Sequence, residues 1–243
     1  MENMSNEAFD KAKESLEFSW EVHRQAFGPI LEPAFVENQQ VRVPLIAALN
    51  HISRREVKRG LEILQSLKEH CIYDEDKAAW TFFVGLCFEM AGQKEQMLRW
   101  YEESGKFGHR FYLPYLKIAK AEHNGGQFEK ALNYYALAIS CLLEMREEEK
   151  DEVILGSAYT NMTACLTMLY RYEEAEKAWQ TAQQYPQQPA SAGTAAILYA
   201  AMGKEDACTA YIKKLEGQMP ALVQQIKIMT QQILRGDHQH FQK

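Results

Sequence analysis

The chain has 243 residues, 47% of them hydrophobic and 25% charged, and carries a net charge of −6. These proportions belong to a globular chain and exclude a disordered or collagen-like one. The acidic balance speaks against a nucleic-acid partner, whose binders carry a basic excess or stripe.

The opening MENMSNEAFD has neither the basic nor the apolar region of a secretory signal. Residues 6–27 predict a leading helix, with Phe9, Leu16, Trp20, His23 and Phe27 on or near one face, and Pro29 and Pro33 follow it. Val41-Arg42-Val43 is the nearest approach to a strand and is too short to count. Pro44 and Pro114 are expected in first helical turns, where a missing N–H does no harm. The most apolar stretch, AAWTFFVGLCF at 78–88, falls well short of the ~20 residues that cross a bilayer, so no membrane partner is expected. Pro186, Pro189 and Pro220 fall between later helices. The five cysteines form no short pair, which predicts reduced, buried thiols and a cytoplasmic location. The chain reads as all-α.

A pattern recurs along it. In GQFEKALNYYALAI, Phe128, Ala131, Tyr135 and Ala138 form one helical stripe behind Gly126. Gly92 stands 34 residues earlier and opens GQKEQMLRWYEES, with Tyr101 and Ser104 at matching places. Tyr170 opens YRYEEAEKAWQTA, Gly203 opens GKEDACTAYIKKL and Arg55 opens REVKRGLEILQSL. Seven residues before each opener lies a small residue: Ala48, Gly85, Ala119, Thr163 and Ala196. A small residue there lets the two helices of a hairpin cross closely.

These spacings resemble the tetratricopeptide repeat (TPR), a helix–turn–helix unit of about 34 residues. The resemblance implies a right-handed α-α superhelix, a solenoid of about five units near 41–74, 78–111, 112–145, 156–188 and 189–220. It also implies terminal caps, because each unit leaves an apolar face open. Residues 1–40 and 221–243 are expected in that role, with Leu222, Ile226, Met229 and Ile233 on the apolar face of a helix over 220–235. Arg55 stands where the family has its turn glycine, and Met97 where it has a small residue. Ten extra residues separate Gly126 from Tyr170, around the acidic EMREEEKDEV of 144–153. They predict two adjacent helices that overrun the body by about a turn each. The overrun is either a solvated extension or an acidic prong for a partner.

Signals for chemistry are sparse. The chain has no GxSxG, HExxH, Walker loop or dinucleotide fingerprint. His238-x-His240 in the tail has no clustered third ligand, so no metal, cofactor or catalytic residue is expected. In the family the first helix of each unit lines a concave groove. Carried onto this chain, the resemblance places Arg42, Phe82, Leu86, Glu89, Lys117, Lys120, His123, Asn124, Thr160, Asn161 and Thr167 there. Leu45, Leu49, Met90, Ala164, Gly193, Ile197, Ala200 and Ala201 also fall at facing positions. Such a groove is apolar at one end, basic and amide-rich in the middle, and small-walled at the other, which suits an extended peptide. The expected function is a non-enzymatic scaffold that binds a protein or peptide. The alternative is a homo-oligomerising module that pairs through its end helices. A peptide-responsive regulator and an enzyme on a helical solenoid rank below both, because neither a DNA-reading helix-turn-helix nor a catalytic constellation is evident.

Overall fold

The computed structural model describes residues 39–108, 111–146 and 150–235. Among them every regular element is helical. The helices come in consecutive pairs: α1 (Gln39–Ser53) and α2 (Val57–Leu67), then α3 (Asp74–Met90) and α4 (Lys94–Phe107). There follow α5 (Leu113–Asn124) and α6 (Phe128–Leu143), α7 (Glu152–Met168) and α8 (Tyr172–Ala182), and α9 (Ser191–Ala201) and α10 (Glu205–Gln218). A last helix, α11 (Pro220–Leu234), opens with its proline at the first position, where no N–H is missed. The leading helix expected at 6–27 and the tail with His238 and His240 lie outside the described residues.

One turn closes all five pairs. Arg55, Gly92, Gly126, Tyr170 and Gly203 each adopt a left-handed φ, between 60° and 73°. Each N–H bonds back to the carbonyl three residues earlier, and the following N–H to the carbonyl five residues before itself. At the second pair these bonds are Gly92 N–H to Glu89 O at 3.0 Å and Gln93 N–H to Phe88 O at 2.9 Å. This is a Schellman ending, which satisfies the last carbonyls of the first helix. Glycine adopts the left-handed conformation freely; Arg55 and Tyr170 occupy it against their Cβ.

Small residues bring each pair together. Ala48, Ala119, Thr163 and Ala196 are fully buried, and Gly85 is buried beside them in the same register. In the second helices Leu64, Tyr101, Tyr135 and Trp179 are each at most 2% exposed; Leu64 shares a core with Ala48, and the Tyr101 ring lies against Gly85. The Ser104 hydroxyl donates to the Ala78 carbonyl at 2.7 Å, tying α4 to α3. All five cysteines are buried thiols, and burial pushes Cys87 and Cys165 up to about 12.

The chain divides into two compact units, with the boundary inside α5 between Lys117 and Ile118. In the first, α3 packs against α1, α2 and α4. Val41, Leu45, Ala48 and Leu49 of α1 meet Leu64 and Leu67 of α2 and Phe83, Val84 and Cys87 of α3. In the second, α7 packs against α6, α8 and α9, and α9 in turn against α10 and α11. Ala196, Cys208, Leu215, Val223 and Ile226 share one core there.

Three expectations need correction. Pro44 sits inside α1 rather than in its first turn. The helix passes through it because Val41, Leu45, Ala48, Leu49 and Ile52 bury one face, which offsets one lost backbone bond. The helical overrun expected over 144–153 is confined, among its described residues, to Glu152 and Val153: α6 stops at Leu143, and Asp151 caps α7 by accepting the Ile154 N–H at 2.9 Å. A cap of this kind starts a helix rather than continuing one. On α11 the buried stripe is Val223, Ile226, Thr230 and Ile233, with Leu222 and Met229 at its margin.

Candidate functional site

The residues expected along the groove divide between the units. In the first, Phe82 is fully buried. Its ring packs 5.3 Å from Tyr101 and 5.2 Å from Phe111, which removes it from any binding wall. Leu86 is half-buried against the α1–α3 core. Arg42 is half-buried on α1. Glu89 accepts the Tyr101 hydroxyl at 2.5 Å and Lys117 Nζ at 2.9 Å. The Lys117 charge is therefore committed to Glu89 and is not offered to a ligand carboxylate, contrary to the basic centre expected there. Burial, then the Glu89 charge, drives the Tyr101 phenol far above its usual range.

The second unit holds a recess of about 220 Å³. His123 enters it from the last turn of α5, Ala164 and Thr167 from α7, and Thr194, Ile197 and Ala201 from α9. Met229 and Ile233 of α11 form the facing wall, and Tyr170 and Tyr172 stand beside the α7–α8 turn. The walls from α5, α7 and α9 are the first helices of three consecutive pairs. The Thr167 hydroxyl already donates to the Thr163 carbonyl at 2.8 Å, so it brings no unmet polar group. No carboxylate, lysine or arginine lines the recess.

His123 is held by the turn that follows it, where Gly126 N–H bonds to its carbonyl at 3.0 Å. Its ring meets Phe128 at 5.8 Å and Tyr135 at 6.3 Å, both edge to face, and the Tyr135 hydroxyl stands 3.5 Å from Nδ1. Burial pulls its pKa below 6.5, so the imidazole is neutral near pH 7. The recess thus suits an apolar side chain. Engineered apolar cavities of about 150 Å³ hold a benzene ring, so this one has room for a large side chain.

The remaining expected residues surround it unevenly. Lys120 and Asn124 are exposed on α5, and Lys120 lies one turn before His123. Asn161 is half-buried on α7. Thr160 is buried and donates to the Gly156 carbonyl at 2.8 Å and to Gln187 Oε1 at 3.1 Å, so it serves packing. Of the nineteen positions expected to face a groove, His123, Ala164, Thr167, Ile197 and Ala201 are on the walls of the recess, while Leu45 and Leu49 are buried in the core of the first unit. Sequence reasoning missed Met168, Tyr170, Tyr172 and Thr194, and read Met229 and Ile233 only as a cap. The signal was present in the apolar face of α11, but which helices that face meets is a matter of tertiary packing.

Among the described residues no group of three His, Cys, Asp or Glu side chains could hold a metal ion. None of the described helices is long and apolar enough to cross a membrane. No protein-family model and no curated protein matches the chain. Among solved structures, the crystal structure of NprR in complex with its cognate peptide NprX aligns with 98% of this chain and 86% of that one. The identity is 15% and the TM-score 0.43, and a likeness at that score bears on neither function nor site.

Proposed function

We propose that the protein is a non-enzymatic, TPR-like binding module, cytoplasmic, that takes a partner protein or peptide along its first-helix face. The five helix pairs are the units of a right-handed superhelix in this reading, with α11 as its C-terminal cap. The observation that carries it is the recess walled by three consecutive first helices and α11, apolar and without a charged group. An extended partner places one apolar side chain in it and lays an acidic neighbour against Lys120.

The test is a peptide-array screen with the full chain, followed by titration of the strongest peptide against wild type and Lys120→Glu. Lys120 is exposed, so the fold is retained while the local charge is reversed. Acidic peptides are expected to lose roughly tenfold in affinity, which is about 1.4 kcal/mol. Equal binding by both chains removes Lys120 from the site. Self-association is the second reading, favoured by Ile228 and Leu234, which are 47% and 39% exposed on α11. A dimer mass in solution that Ile228→Glu abolishes would move that reading ahead.

A further inference from the structure

A second recess, of about 450 Å³, lies wholly within the first unit, between the end of α2, α3 and α4. Its floor is aromatic. Trp80 and Trp100 meet edge to face with centroids 5.6 Å apart, and Phe107 lines the recess with them. The Trp80 indole N–H donates to the Leu64 carbonyl at 2.7 Å, which fixes that ring in place.

Its rim is cationic. Lys68, Lys77 and Arg99 line it. Lys77 shares its charge with Asp74 at 3.1 Å and stands 5.6 Å from the Phe107 ring centroid. Among the described residues, neither the Lys68 nor the Arg99 head group has an ion pair or hydrogen bond. The carboxylate in the lining, Glu103, is paired with Lys106 at 2.7 Å. In a chain of net charge −6 this is a local excess of the opposite sign around a rigid apolar floor.

We infer that this recess docks an acidic peptide segment of a partner protein, one that sets an aromatic or long aliphatic side chain beside carboxylates. The indoles take the side chain, and the Arg99 guanidinium matches a carboxylate with two parallel N–H donors. Lys68 adds a second, mobile charge. A nucleic acid would need cations strung along a backbone track, and these three ring one hollow. The inference does not rest on the groove reading, since the two recesses share no residue.

The experiment is fluorescence anisotropy with the full chain and two labelled probes, Glu-Glu-Phe-Glu-Glu and Lys-Lys-Phe-Lys-Lys, at about 50 mM salt, where exposed charges are little screened. The acidic probe should bind and the basic one should not. A Lys68→Glu, Arg99→Glu double variant should weaken the acidic probe at least tenfold with an unchanged helical circular dichroism spectrum. Trp100→Ala should weaken it as well, while Ala164→Trp in the other recess should have no effect. Equal binding of both probes, or an unaffected double variant, overturns the inference. So does a short thymidine oligonucleotide that displaces the acidic probe as effectively as unlabelled peptide, since the surface would then be a general polyanion patch.

Discussion

Gly85 of α3 faces the ring of Tyr101 of α4 so closely that a Cβ at position 85 would lie 2.7 Å from the ring. The ring cannot retreat. Tyr101 is fully buried, rests against Phe82 and has its hydroxyl anchored on Glu89. Gly85→Ala gains about 1 kcal/mol of helix propensity but overpacks the crossing, which costs about 1–3 kcal/mol. Urea unfolding should therefore show Gly85→Ala less stable than wild type, and Tyr101→Leu in the same chain should relieve the clash. A stabilised Gly85→Ala would mean that the two helices separate easily.

The five left-handed turns make a second prediction. A Cβ on Gly126 would meet nothing within 4 Å, so substitution there is felt only through the backbone. Gly126→Ala should cost about 1 kcal/mol, and Arg55→Gly, at φ 64°, should gain up to about that amount. Denaturant midpoints of the two variants should move in opposite directions.

These turns show how much of the fold was legible. Gly92, Gly126 and Gly203 announced the period because only glycine adopts that backbone freely, and the small residues seven positions earlier confirmed the crossing. Arg55 and Tyr170 occupy the same conformation and were found only by their register. The candidate site was less legible. Position within a repeat indicates which way a residue points, and His123 and Thr167, expected on the groove, stand on the walls of the recess. It failed at Phe82, where Tyr101 and Phe111 close over the ring, and at Lys117, whose charge is answered by Glu89. The first is a closure over Phe82 by other residues of its own unit and the second a pairing with the preceding unit, and position along a single first helix contains neither.

His123 predicts a pH dependence. Burial holds its pKa below 6.5, so the unfolded chain takes up the proton first as pH falls. Its contribution to stability is full above about pH 7.5 and is lost as the pH drops through 6.5 towards the folded-state value. His123→Gln lacks that loss. Wild type should thus lose more stability than His123→Gln between about pH 7.5 and pH 5.5, measured by urea unfolding. Parallel losses would show that the imidazole is as well solvated in the folded chain as in the unfolded one.

In the proposed function, the recess walled by α5, α7, α9 and α11 receives a partner's apolar side chain. Ala164→Trp fills it from α7, and Ala201→Trp fills it independently from α9, in case either one disturbs packing. The decisive measurement is calorimetric titration of the strongest array-selected peptide into wild type and both variants, with unfolding midpoints recorded alongside. The peptide should bind wild type and lose at least tenfold in affinity in each variant that keeps its midpoint. Undiminished binding to a correctly folded, filled chain would contradict the proposal.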